Sequence, residues 1–342
     1  MLFLLLATIA SAGNALTMKF AGSRSDNAWA LLLFNYLAAT VLSAASALRA
    51  GLAFADVAPR TWALGMVAGV LFVATFALLQ HNVRVNGATV SSSLFRMGAV
   101  IPMILSIVLF GEYPTFAGAC GIVVAIAATT LLAIPPKDET TTDAVMPSAR
   151  RLLIPMVLAG GLADTMPKVF ETVGDPAHEE AYILMTFATA FAICLAMLLK
   201  ERERPAGVDV ACGTMLGFFN FFSTDLMLRA LIELPAYVVY TGFSMGVVLI
   251  VYAANVLVMH ERLTRRDHVA LALVILALAL INLSLGQENG GWIILVCFHG
   301  KLCQWQEVYA ISILQRIHVA ESEAEAQYVA DAAVVTCCSS HP

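Results

Sequence analysis

Two long apolar segments joined by a short polar break occur twice in this chain at a constant separation, and that recurrence constrains the fold more than any other feature. The first copy, residues 87–134, reads GATVSSSLFRMGAVIPMILSIVLF, then GEYPT, then FAGACGIVVAIAATTLLAI. Each arm has about the 20 apolar residues that a helix needs to cross a bilayer, and Gly111, Glu112 and Pro114 in the break are poor residues for hydrocarbon. The second copy runs over residues 236–259, breaks at His260, Glu261, Arg262, Leu263 and Thr264, and resumes over residues 268–285. Glu112 and Glu261 stand 149 residues apart. The pattern predicts a membrane helical hairpin that closes each of two copies of one unit.

Composition removes the soluble alternatives. A length of 342 residues alone would allow two or three soluble domains. With 60% hydrophobic residues, 13% charged residues and a mean hydropathy of +0.83, the apolar surface exceeds what a soluble core could hide. A net charge of −5 supplies no basic surface for a polyanion, so no nucleic-acid partner is expected. The seven cysteines follow no zinc or disulfide spacing. The chain contains no phosphate loop, no paired nucleophile and base, and no cluster of metal ligands. It is therefore expected not to be an enzyme, to need no cofactor or metal, and to run on an ion gradient, with protons as the default coupling ion.

Apolar segments place helices at about residues 1–20, 28–48, 61–79, 87–110 and 116–134, then 152–170, 181–199, 210–228, 236–259 and 268–285. The first could be mistaken for a signal peptide, but it has no basic start and its match with residues 152–170 predicts a mature membrane helix, with Lys168 at Lys19 plus 149. Gly65 and Gly69 in the third helix and Gly213 and Gly217 in the eighth form G-x-x-x-G pairs 148 residues apart, the spacing at which helix backbones approach closely in lipid. Five helices per unit is an odd number, so the units enter the membrane in opposite directions. The predicted fold is an all-α polytopic membrane protein with ten transmembrane helices in two inverted five-helix repeats. The first repeat covers 1–134, a polar linker 135–150, the second repeat 151–286, and a C-terminal tail 287–342 lies outside the repeat as an amphipathic or disordered appendage.

Two five-helix units, each ending in a helix, a short Glu-bearing break (Gly111-Glu112 and His260-Glu261-Arg262) and a Gly- or Ala-rich last helix, resemble the EamA branch of the drug/metabolite transporter superfamily. The likeness covers residues 1–285. It implies a ten-helix carrier that moves small metabolites or drugs across a bacterial cytoplasmic membrane through a central cavity between the units, without implying a particular cargo. The second break begins with His260 where the family usually has glycine.

Polar residues within the spans are the candidates for that cavity, because they are costly in lipid unless they face one another or water. Arg96 lies well inside the fourth helix with no acidic residue one turn away, so it needs an acidic partner on another helix or an anionic ligand. Asp164 with Lys168, and Asp225 with Arg229, are spaced to neutralise each other along one helix face; each pair is either local compensation or part of the transport path. Asn14, Asn35, Ser92, Asn220 and Tyr240 either line a polar path or hydrogen-bond between helices. Arg96, Asn14, Asn35, Ser92, Asn220, Asp225 and Tyr240 form the candidate substrate-cavity set. Glu112 and Glu261, in loops, are expected to cap the helix that follows each. The leading expectation is secondary active transport of a small-molecule substrate by alternating access. A lipid-handling protein or a non-transporting assembly subunit of the same fold is the alternative.

Loop charge gives an orientation. Twelve Lys and Arg residues lie beside the odd-numbered loops, among them Arg84, Lys137, Arg150, Arg151, Lys200 and Arg266, against Arg49, Arg60, Lys168 and Arg229 on the other side. The positive-inside rule then puts the linker in the cytoplasm and both termini outside, whereas the resemblance implies termini inside. A cysteine introduced at Thr141, with the native tail cysteines replaced, should resist an impermeant thiol reagent in intact cells; labelling would reverse the orientation. Truncation after Gly286 should leave an inserted, stable protein, and loss of the protein from the membrane would show that the tail supports the bundle.

Overall fold

In a computed structural model, the described residues are 1–22, 24, 27–86, 91, 95, 97–133, 153–201, 205–257 and 265–289. The chain divides into two compact units, Met1–Ser284 and Leu285–Pro342. The first is an all-α bundle. Its helices are α1 (Leu2–Gly22), α2 (Ala28–Arg49), α3 (Pro59–Asn86), α4 (Val100–Val108), α5 (Phe116–Ala133), α6 (Leu153–Val173), α7 (Glu179–Glu201), α8 (Gly207–Glu233), α9 (Ala236–Leu257) and α10 (Arg265–Asn289). The linker expected at 135–150 and the tail beyond residue 289 lie outside the described residues.

Eight of these ten helices are long and apolar enough to cross a membrane. The shorter two are Met97–Val108 and Phe116–Leu132, the arms of the first hairpin. The first arm was expected from residue 87; Ser91 and Phe95 are helical, and a 3-10 turn, Met97–Ala99, leads into α4 at Val100. Pro102 contributes to that entry, because it has no N–H to give Gly98 in a regular α-helical ladder. α3 and α8 outrun their expected ends, reaching Asn86 and Glu233, since no glycine or proline stops them. α8 starts where the Asp209 carboxylate accepts the Ala206 N–H at 2.8 Å. α2 starts on the Asn27 side chain, which accepts the Ala30 N–H at 2.9 Å.

Lipid offers no hydrophobic drive for helices to associate, so close backbone approach has to supply the contact energy. The paired glycines do this. A Cβ on Gly65 of α3 would sit 2.8 Å from the Tyr182 carbonyl of α7, and Gly69 one turn later meets the Thr186 carbonyl. On the other side of the bundle, a Cβ on Gly213 of α8 would sit 2.5 Å from the Leu31 carbonyl of α2, and Gly217 meets the Asn35 carbonyl. So α3 docks on α7 and α8 docks on α2 by the same device, and α2 and α7 pack against each other between them. α1 packs on α8, and α6 on α3. Tyr36, Phe170, Tyr182, Ile183, Phe187 and Leu228 fill the core at this junction. α10 is held to α5 and α9 by small residues, with Ala125, Ala128, Met245, Val274 and Ala277 packed together.

Gly69→Leu and Gly217→Leu should each lower bundle stability by about 1–3 kcal/mol or more through overpacking against backbone. Gly207, which has open space around its Cβ position, should tolerate alanine. Thermal unfolding of the purified variants checks the contrast, and equal stability of all three with the parent would remove the glycines from the account.

Candidate functional site

The break between α4 and α5 aims one carboxylate into the second half of the chain. Gly111 adopts φ 67°, the left-handed region that glycine enters without a Cβ clash. The turn lets the Glu112 N–H reach back to the Ser106 carbonyl at 3.3 Å. The Glu112 side chain then spans to α6 and α9. Its Oε1 lies 2.7 Å from Lys168 Nζ, and its Oε2 accepts the backbone N–H of Ala236 at the first position of α9. Lys168 Nζ also contacts Glu171 Oε2 at 2.7 Å, while the Phe110 ring stands beneath the ammonium. A carboxylate at a helix N-terminus meets an unsatisfied donor and the positive end of the dipole, and here it also meets a buried ammonium. One loop is thereby fastened to two helices of the other half.

This arrangement corrects two expectations. Glu112 caps α9 rather than α5, whose first turn is capped by Thr115, the hydroxyl accepting the Gly118 N–H at 3.2 Å. Lys168 is held by Glu112 and Glu171, so it does not form the local pair with Asp164. The pair Asp225 with Arg229 does form: Oδ1 and Oδ2 receive Nη2 and Nε, each at 3.2 Å. Arg229 also reaches Glu179 of α7 at 3.0 Å, which makes the pair part of an interhelix network. At the same end, the Met1 amino group lies 3.5 Å from Glu233. In the α6–α7 connection, a hydrogen bond from His178 holds the Asp175 carboxyl below the usual carboxylate range.

Asp164 is left as the acidic residue in the middle of a span. It is the twelfth of the 21 residues of α6. Ile154, Leu158 and Leu162 mark the outward face of this helix. Asp164, two residues past Leu162, stands about 200° around the helix from it, on the inward side. That side carries Gly160, against which the Phe95 ring and Thr75 of α3 pack, and Lys168. The Asp164 side chain is exposed. Pro167 follows three residues later and withholds the N–H that would bond the Ala163 carbonyl, loosening the helix at this level. The buried Tyr240 of α9 lies near enough to Asp164 to feel its charge, and its hydroxyl faces the α6 backbone at Lys168 without a hydrogen bond of good geometry. Thr75 likewise has a buried hydroxyl with no partner among the described residues.

The sequence-based candidates fall into three groups. Arg96 and Ser92 lie outside the described residues. Asn220 donates to Asn35 at 3.3 Å, joining α8 to α2 beside Gly217, and Asp225 is bound in the Arg229 network, so these three hold helices together. Tyr240 is buried near Asp164, and Asn14 is half-buried on α1. Glu112 and Lys168, left out of the candidate set, were signalled by their recurrence at Glu261 and Lys19. An apolar groove lined by Met66, Met185, Thr189 and Met197, along α3 and α7, presents almost no polar surface. Among the described residues no group of three or more His, Cys, Asp or Glu could hold a metal ion.

With this geometry in place, comparison with known proteins is informative about fold alone. No family model matches the sequence, and no curated protein matches it. A solved crystal structure of a protein described no further is similar, with a TM-score of 0.61 and 16% identity over 82% of this chain and 96% of the other. The chain is a multi-pass, all-helical membrane protein whose fold has a counterpart of nearly the same extent among solved structures.

Removing one partner of a buried ion pair costs about 3–5 kcal/mol, and the partial exposure of Glu112 scales the expected loss for Glu112→Gln or Lys168→Met to about 1–3 kcal/mol. The double variant should recover part of it, since neither charge is then left alone. A double-mutant cycle by thermal unfolding measures the coupling, and strict additivity would contradict the contact.

Proposed function

We propose that this protein is a secondary transporter that moves a small polar or amphipathic solute across the cytoplasmic membrane by alternating access of two inverted five-helix halves. The observation that carries this reading is the reciprocal docking of the halves. α3 of the first half sits on α7 of the second through Gly65 and Gly69, and α8 of the second sits on α2 of the first through Gly213 and Gly217. Exchanging the halves turns one contact into the other, as an inverted repeat requires. Asp164 lies at mid-span of α6, the depth at which such carriers hold their solute, and the Glu112–Lys168 contact ties the first half to the second near one end of that helix. The resemblance to the EamA branch of drug/metabolite transporters supports the same reading. Free of any visible nucleotide site, the chain draws on a gradient, and Arg96 is assigned to the cavity wall.

Purified full-length protein in liposomes, screened against pools of labelled metabolites, should show counterflow of at least one solute; none across a broad pool would overturn the proposal. For that solute, Arg96→Lys should lower the rate about tenfold, because the ammonium cannot reproduce the planar guanidinium fork. Near-normal rates for both Arg96→Lys and Arg96→Ala in inserted protein would remove Arg96 from the cavity.

A further inference from the structure

We propose that Glu112 is a releasable strap over the end of the bundle where α6 finishes and α9 starts, and that Glu171 is the spare partner that lets it go. What the strap gates rests on the transport reading above; its release does not. The α4–α5 break has a fixed foot and a movable arm. Thr115 is the foot: its hydroxyl donates to Ser284 of α10 at 2.7 Å, which anchors the break to the second half. Glu112 is the arm, with Oε1 2.7 Å from Lys168 Nζ of α6 and Oε2 accepting the Ala236 N–H of α9. Its pivot, Gly111, has a left-handed φ of 67° and open space around its Cβ position. While the arm is in place, α6 and α9 are held to each other at this end.

A buried ammonium that loses its carboxylate is strongly destabilised, so a strap made of Glu112 and Lys168 alone would stay shut. The Lys168 side chain is only 7% exposed. Here Glu171, one turn further along α6, holds the same ammonium at 2.7 Å and moves with it. Pro167 precedes both residues and withholds the N–H that would bond the Ala163 carbonyl, so the end of α6 can tilt with its ion pair intact. The released Glu112 side chain, already 21% exposed, passes to water. The two carboxylates also repel each other across the ammonium they share, which weakens the closed state. Glu171 therefore acts in one direction on both sides of the equilibrium: it compensates Lys168 in the open state and disfavours the closed one.

The Ala236 amide reports the strap directly, because its N–H is bonded to Glu112 when the strap is closed. Full-length protein in lipid nanodiscs is followed by hydrogen–deuterium exchange and mass spectrometry, with fragmentation that resolves Ala236. The parent amide should be protected. Glu171→Gln should slow its exchange at least about fivefold. Glu112→Gln keeps an amide oxygen for the bond but loses the hold on Lys168, and should speed exchange at least about tenfold. A merely stabilising network would give faster exchange in both variants. Faster or unchanged exchange in Glu171→Gln, slower or unchanged exchange in Glu112→Gln, or an unprotected amide in the parent would each overturn the proposal. In Lys168→Met, adding Glu171→Gln should change the rate by less than about twofold, since no ammonium is left to share; slowing there would remove Glu171 from the role. The amides of Tyr182 and Phe187, in the core, should stay far slower than Ala236 in every variant, and their loss of protection in Glu171→Gln would make Glu171 a structural residue and overturn the proposal as well. Counterflow is a separate measurement: the opposite responses without counterflow refute the transport reading alone, and counterflow without them refutes the strap alone.

Discussion

Helices in lipid have to be drawn together by something other than the exclusion of water, and in this protein it is the absence of side chains at four glycines. Gly65, Gly69, Gly213 and Gly217 bring the α3 and α8 backbones against carbonyls of α7 and α2, so close that an added carbon has no room. Everything at the centre of the bundle follows from those approaches. They set α2 against α7 and stack Phe170 on Tyr182 with their ring centroids 4.3 Å apart. They also bring Asn220 to Asn35, where each amide finds a partner that hydrocarbon cannot provide. The polar contact comes second, once the glycines have closed the distance.

Charge is distributed by depth. Near the ends of α6, α7 and α8, ionised groups are gathered into networks in which each cation serves more than one carboxylate: Lys168 with Glu112 and Glu171, Arg229 with Asp225, Glu179 and Glu180. Shared partners reduce the cost of withdrawing these charges from water, and they sit where waters and headgroups assist. Asp164, deeper in α6, belongs to neither network among the described residues and is exposed.

Much of the architecture was legible in the sequence because membrane helices announce themselves by length, and repetition by distance. The ten helices, the two glycine pairs and the Asp225–Arg229 contact all follow from spacing within one segment. What was not legible is non-local. Glu112 reaches Ala236 across 124 residues, and no local pattern distinguishes that from capping α5, which Thr115 does instead. The spacing of Asp164 and Lys168 suits an ion pair, yet three carboxylates compete for one ammonium. Glu171 has equally good helical spacing, and the Gly111 turn delivers Glu112. Only the fold decides the competition, and its outcome leaves Asp164 exposed.

The central proposal is that the two halves exchange which end of the path between them is open. Distances between spin labels on exposed positions test it without knowledge of the solute. One pair, at Val108 of α4 and Val173 of α6, reports the end closed by Glu112 and Lys168; the other, at Phe20 of α1 and Leu257 of α9, reports the opposite end, where Lys19 bonds Asn255 at 3.1 Å. Pulsed dipolar spectroscopy in nanodiscs, over a series of pH values, should find two populations for each pair, with one end widening as the other narrows. A single distance at both ends under all conditions, or both ends widening together, would contradict the account.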